Sequence, residues 1–313
     1  FRFDIRNESI FSNVLGTLAG ALEGDTVLTK GDSRTTNELA ISHRYSAGRF
    51  ATTVTGGITN GVFGTFILPG ATLTIRLDEK GSALLFGSAN RSMRQPSFTD
   101  LYYNIGGAQG SIDLQPEWSD NFETGIRAAL DINEKLALSF EQSLFIRQGH
   151  DLIDWVRFEG EETTRATNLR EVNFTGMETS LKLKSVSGNY IEAHYTAMKA
   201  SESSSGFESN YVLDFLKHQL NVRALIALPR EINLTFRYSL QDREGGYYNP
   251  VDEIEEEFVP LNLFGASISK NFMDGKLNTN LRVDNLLDIE IHDIGNVVLP
   301  GRMIRVGLNF ALD

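Results

Sequence analysis

Cysteine is absent from the 313 residues, which excludes a disulfide scaffold and a thiolate metal site. Basic residues are scarce: 29 Lys and Arg stand against 41 Asp and Glu, a formal charge of −12. That balance argues against nucleic acid as a partner, since phosphate binding needs a basic face. Long apolar runs are missing as well. The longest candidate, Ala224 to Leu228, falls far short of the ~20 residues of a spanning helix, so a helical membrane protein is excluded. The chain opens Phe1-Arg2-Phe3-Asp4-Ile5-Arg6, which alternates and lacks the apolar stretch of a signal peptide. The expectation is that any export signal lies outside this sequence. A mean hydropathy of −0.19 still leaves room for a β-barrel, whose polar lumen dilutes its apolar outer face.

What the sequence has in abundance is alternation with a period of two. Ile232, Leu234, Phe236, Tyr238 and Leu240 share one parity, while Asn233, Thr235, Arg237, Ser239, Gln241 and Arg243 take the other. In a strand these sets point to opposite faces. Leu138, Phe140, Leu144 and Ile146 likewise oppose Ser139, Glu141, Ser143 and Arg147, and Ile304, Val306, Leu308 and Phe310 oppose Arg305 and Asn309. Helical spacing fits these windows less well. The pattern predicts about fourteen strands, at 1–10, 34–45, 49–58, 71–78, 83–93, 118–130, 136–147, 170–184, 189–200, 213–226, 232–243, 259–270, 277–285 and 302–312. Most are ~9–13 residues long, matching tilted membrane strands rather than the ~5–6 residues usual in soluble sheets.

Connections alternate between short and long. Short turns fall at 46–48, 79–82, 131–135, 185–188, 227–231 and 271–276; long loops are expected at 11–33, 59–70, 94–117, 148–169, 201–212, 244–258 and 286–301. Outer-membrane barrels sort their connections this way, with short periplasmic turns and long external loops. The fold class expected is therefore all-β, an antiparallel transmembrane barrel with its C-terminus on the periplasmic side. Helix should be nearly absent, with one short helix conceivable around Val14 to Glu23. Aromatics near strand ends suggest two interfacial girdles: Tyr102, Tyr103, Trp118, Trp155, Tyr211, Tyr247 and Tyr248 outside, and Tyr45, Phe50, Tyr190 and Phe272 inside.

Several stretches carry a family resemblance. Arg94-Gln95-Pro96-Ser97-Phe98-Thr99-Asp100-Leu101-Tyr102 is followed by Asp113-Leu114-Gln115-Pro116-Glu117 and Asn121-Phe122-Glu123-Thr124-Gly125. Then come Asp151-Leu152-Ile153-Asp154-Trp155, Asn168-Leu169, Gly176-Met177-Glu178, Arg282-Val283-Asp284-Asn285-Leu286-Leu287-Asp288 and Pro300-Gly301-Arg302. In order and spacing over roughly 90–312 these resemble the C-terminal half of TonB-dependent outer-membrane receptors. The resemblance implies a barrel of twenty-two strands, of which this chain supplies about fourteen. It also implies a plug domain preceding residue 1, an energy-coupling partner in the TonB complex, outer-membrane lipid around the wall, and a surface lipoprotein as a further partner. One departure is the end, Phe310-Ala311-Leu312-Asp313, where the family usually closes on an aromatic.

Enzyme chemistry finds no support. There is no Gly-x-Ser-x-Gly elbow and no phosphate loop. The five histidines, His43, His150, His194, His218 and His292, have no metal-ligand spacing. No histidine lies between Gln95 and Gln115, where the family's haem receptors carry one, so haem is disfavoured as a substrate. His150 is expected in a solvated loop. The acidic run Asp252-Glu253-Ile254-Glu255-Glu256-Glu257 could hold a cation, but a solvated, self-repelling loop explains it more simply. No metal site, cofactor or catalytic residue is assigned. The expected function is active uptake of a scarce large solute, an iron–siderophore or a corrinoid such as vitamin B12. Loop residues Tyr102, Tyr103, Asn104, Trp155, Tyr247 and Tyr248 are the candidate contacts. The alternative is a complete fourteen-strand passive channel, in which 1–10 would pair with 302–312.

Overall fold

The computed structural model describes residues 1–13, 15–16, 30–158, 160–201, 207–209, 215–249, 254–293 and 297–311. Fourteen long strands dominate: β1 (Arg2–Ser12), β2 (Lys30–Ala47), β3 (Phe50–Gly61), β4 (Gly64–Arg76), β5 (Ala83–Arg94), β6 (Glu117–Asn133) and β7 (Leu136–Phe158), then β8 (Thr164–Ser185), β9 (Tyr190–Ala200), β10 (Leu216–Leu228), β11 (Ile232–Arg243), β12 (Leu261–Phe272), β13 (Leu277–Asp284) and β14 (Met303–Phe310). Each pairs antiparallel with the next, so the sheet is a simple meander. Among the described residues the only helix is α1 (Phe98–Tyr102), five residues long. The helix expected around Val14 to Glu23 falls largely outside the described residues, as does Tyr211.

The two parities separate as alternation requires. On β14, Ile304, Val306 and Leu308 are 66%, 76% and 71% exposed. Phe236 on β11, Ile268 on β12 and Leu281 on β13 are also exposed on that face. A continuous apolar face of this size is not tolerated in water, but it suits acyl chains. The opposite, inward face carries the charges: Arg127 donates two hydrogen bonds to Glu141 at 2.6 and 2.8 Å, and Lys182 meets Glu192 at 2.9 Å. Inward Gly125 and Gly176 lie opposite Phe86 and Phe145 on their partner strands. Added Cβ atoms there would come within 2.5 and 2.4 Å of those rings, so glycine leaves the space in which each phenylalanine lies flat against the wall. The outward face is not wholly apolar: Gln142 accepts from Thr179 across the β7–β8 pair at 2.6 Å, so its amide oxygen has a partner there.

The sheet has two free sides. Among the described residues β1 pairs only with β2, and β14 only with β13. The ring expected of a complete fourteen-strand channel, with 1–10 against 302–312, is therefore not closed.

Three expectations need correction. Residues 59–70 are not a long loop: β3 and β4 continue to a tight hairpin in which Gly61 faces Gly64, whose φ of 106° needs glycine. Pro69 and Gly70, at the end of the expected loop, both lie within the ladder. The loop expected at 148–169 is mostly strand, because β7 and β8 run on to Phe158 and back from Thr164. His150 is accordingly no loop residue: it stacks on Trp118 at 3.9 Å between ring centroids, while the Arg91 guanidinium lies 4.3 Å from the same Trp118 ring. Tyr190 does not belong to a girdle either. It shares the inward face of β9 with Glu192, beneath Lys182 and Arg223. Tyr45 and Phe50 remain exposed on the outward face at the periplasmic end.

Candidate ligand-binding face

The external end is braced by the stretch that links β5 to β6. Arg94 ends β5 and donates to both oxygens of Glu117 at 2.8 and 3.2 Å, and to Asp100 at 3.0 Å. Ser97 caps α1 through a reciprocal pair: Asp100 N–H donates to the Ser97 hydroxyl at 3.0 Å, and Ser97 N–H donates to the Asp100 carboxylate at 2.9 Å. Trp155 Nε1 donates to the same carboxylate at 3.3 Å, and Ile153 N–H donates to Glu117 at 2.8 Å. Burial opposes charge on Asp100, but the Ser97 donors and Arg94 outweigh it and hold the carboxyl below its usual range. Arg34, from the inward face of β2, meets Glu8 at 2.8 Å and donates to Pro96 O at 2.6 Å, tying the linker to the first strands of the wall. Asn168 closes the knot, accepting from Gln115 N–H at 2.8 Å and donating to Gln115 O at 3.0 Å. Beneath it Leu101, Leu114, Ile153 and Ala166 form a small apolar core. The motif residues therefore build the scaffold on which the candidate contacts are carried.

Four of the six expected contact residues come together on this scaffold. Tyr102, Tyr103 and Asn104 line a cavity of about 440 Å3 shared with Gly16, Gln109 and Arg165. Trp155 packs edge-on against Tyr103, with ring centroids 5.8 Å apart at 87°. The Tyr102 hydroxyl donates to Asp32, and the Lys30 ammonium lies 4.1 Å from the Tyr102 ring centroid. Burial first, and the Asp32 carboxylate second, push the Tyr102 phenol up to about 12. Tyr247 and Tyr248 belong to another element. They sit on a separate small hairpin, paired with Glu256 and Glu255, and their side chains lie outside the described set. The end of the acidic run thus forms one strand of that hairpin, Ile254–Glu257, while Asp252 and Glu253 lie outside the described residues.

A second cavity, of about 500 Å3, opens on the inward wall below the knot. Phe145, Phe174, Phe215 and Met198 supply its apolar surface, and Asn121, Glu123 and Arg147 its polar one. Phe174 and Phe215 meet edge to face at 5.7 Å. Sequence reasoning missed this patch. The signal was Phe145, an aromatic on the polar parity of β7 between two outward residues, Leu144 and Ile146. No group of three or more His, Asp or Glu side chains suited to a metal ion occurs among the described residues.

Residues 17–286 match the family model described as TonB dependent receptor-like, beta-barrel, a span that begins well before the first motif. The siderophore receptor PirA from Acinetobacter baumannii superposes with a TM-score of 0.75 at 18% identity, over 98% of this chain and 51% of that one. The ferric enterobactin receptor mutant Q482A (PfeA) of Pseudomonas aeruginosa, solved in complex with enterobactin, gives 0.72 at 15%, over 98% and 50%. The Serratia marcescens hemophore receptor HasR, solved as a double mutant with its hemophore HasA and heme, gives 0.66 at 14%, over 90% and 51%. The chain spans about half the length of these receptors. No curated protein sequence matches it. The family consists of transporters rather than enzymes, and this chain belongs to it: a β-barrel wall of the TonB-dependent receptor family, in the bacterial outer membrane.

Proposed function

We propose that this chain is the C-terminal wall of a receptor that draws an iron chelate across the outer membrane, with energy supplied through TonB. The observation that carries the reading is the braced external face, where Tyr102, Tyr103 and Asn104 line one cavity, with Trp155 packed against Tyr103, above an inward wall sorted from lipid. The two unpaired sides, at β1 and β14, suit a wall completed by further strands, since an open edge in lipid leaves several backbone groups without partners at several kcal/mol each. A plug domain preceding residue 1 would then fill the lumen and carry the TonB contact. The structurally similar receptors are described by siderophore, enterobactin and heme, which favours an iron chelate over a corrinoid. Heme is the weaker choice within that class, because no histidine lies between Gln95 and Gln115.

Growth of a deletion strain on defined sources tests the reading. Growth should fail on one or more ferric chelates as sole iron source and return with the intact gene, while growth that requires vitamin B12 stays normal. The reverse pattern would make the solute a corrinoid. Normal growth on both, together with swelling of liposomes that hold the purified protein in small sugars, would favour the passive channel.

A further inference from the structure

The inward face of β10 to β14 twice sets arginine against arginine in register. Arg223 on β10 lies directly opposite Arg237 on β11, and Arg282 on β13 directly opposite Arg305 on β14. Like charges in directly opposed positions destabilise a sheet. On β6 and β7 Arg127 pairs with Glu141, and on β1 Asp4, which lies opposite the like-charged Glu38, pairs with Arg2. Here the counter-charges run short. Arg282 and Arg305 share the single carboxylate of Asp284. Arg223 stands 3.9 Å from Glu192, which already pairs with Lys182 at 2.9 Å. Among the described residues Arg237 has no acidic side chain within ion-pair distance: its Nη2 donates to the Ser267 hydroxyl at 2.9 Å, and its Nη1 is buried without an acceptor. A chain of net charge −12 has thus collected four arginines on one inward stripe against two carboxylates. Between β11 and β13, Gly265 contributes no side chain: a Cβ there would lie 3.7 Å from Arg237 Nη1 and 3.5 Å from Asp284. A cavity of about 410 Å3 opens beside it, lined by Arg237, Gly265, Asp284 and Asn285.

We infer that this stripe is an oxyanion-binding site, centred on Arg237 and flanked by Arg223, Arg282 and Arg305, that takes a carboxylate or phosphate-type group from outside the described wall. A guanidinium presents donors in a planar fork suited to such groups, and an anion against the Arg237 side chain would offset both like-charge pairs at once. The anion has two sources of the same chemistry: a solute in the lumen, or an Asp or Glu side chain of the segment that fills the lumen in the full-length receptor. Local rules broken without internal compensation mark functional positions more often than accidents.

The test uses the full-length receptor in detergent at constant ionic strength, with inorganic phosphate as the probe. Wild type, Arg237→Gln, Ser267→Ala and Arg127→Gln are compared by phosphate binding and by Tm. If a solute supplies the anion, phosphate binds wild type and raises its Tm, Arg237→Gln weakens binding by about tenfold or more, and Arg127→Gln leaves it unchanged. If the receptor's own carboxylate supplies it, phosphate has no effect, but Arg237→Gln lowers Tm by clearly more than Ser267→Ala, because a buried carboxylate loses its partner. The inference is overturned if phosphate has no effect and Arg237→Gln leaves Tm unchanged, raises it, or lowers it no more than Ser267→Ala. An empty stripe only repels itself, so removing one charge would then relieve it.

Discussion

Replacing Phe236 by arginine reads the lipid-facing assignment as an energy. β11 climbs from its periplasmic end at Ile232, so Phe236 stands four residues up the strand. At about 3.4 Å per residue and a tilt near 40°, that is roughly 10 Å into an apolar band about 25 Å tall. The ring is 50% exposed, and its neighbours in register are Ala224 and Ala266. No long side chain shields the position from acyl chains, and no acid is in register to pair with a new cation. An arginine near the midplane of a barrel's lipid face costs ~2–4 kcal/mol. Ser139 is the control. It stands three residues into β7, roughly 8 Å deep by the same arithmetic, and is exposed on the inward face beside Lys182. Arginine there meets only the like charge of Lys182 across the strand pair, a cost of about 0.2–1 kcal/mol. The assay is reversible folding of the full-length receptor into lipid vesicles, followed by denaturant titration. Equal costs at the two positions, or a larger cost at Ser139, would refute the assignment of faces.

Further outcomes follow from the external knot and the inward wall. Asp100→Ala strands Trp155 Nε1 and leaves Arg94 with Glu117 alone, a loss of about 1–3 kcal/mol in that linker. It should speed proteolytic nicking within 95–116 while the barrel itself stays folded, and a linker as resistant as wild type would contradict the bracing role. Gly176→Ala would bring a Cβ to 2.4 Å from the Phe145 ring and 2.5 Å from Ala197 O; a destabilisation of about 1–3 kcal/mol is expected on refolding in lipid. The Tyr102 phenol, raised from 10.0 to about 12, favours the fold in its neutral form, so its contribution is complete below pH 10 and fades as pH climbs toward 12. An alkaline titration of the phenolate absorbance should lose its latest-titrating component in Tyr102→Phe, whereas loss of a component titrating near pH 10 would show that Tyr102 titrates normally.

The strands were legible in the sequence because period-two alternation is strong wherever one face meets lipid and the other a polar lumen. Leu234, Phe236 and Tyr238 against Arg237 and Gln241 needed no more than that. The alternation says less about where a strand stops. Pro69 and Gly70 carry turn chemistry, yet pairing with Gly56 and Thr55, and of Gly70 with Asn90, keeps them in the ladder, and β7 and β8 rise beyond the apolar band because they brace one another and the linker above them. Tyr102, Tyr103 and Trp155 were visible as aromatics in external loops, but not as one cluster, since the Asp100 carboxylate that joins Trp155 to α1 acts across 55 residues. The inward patch around Phe145 and the opposed arginines were hidden for a related reason: a cross-strand pair exists only once the register between two strands is known.

Accumulation of a radiolabelled ferric chelate by cells tests the central claim most directly. Cells carrying the full-length gene, with and without a functional TonB, are compared with the deletion strain. The account predicts uptake that requires the gene and stops when TonB is lost, while binding of the chelate at the cell surface persists. Gene-dependent uptake that continues undiminished without TonB, or no gene-dependent uptake of any ferric chelate, would contradict it.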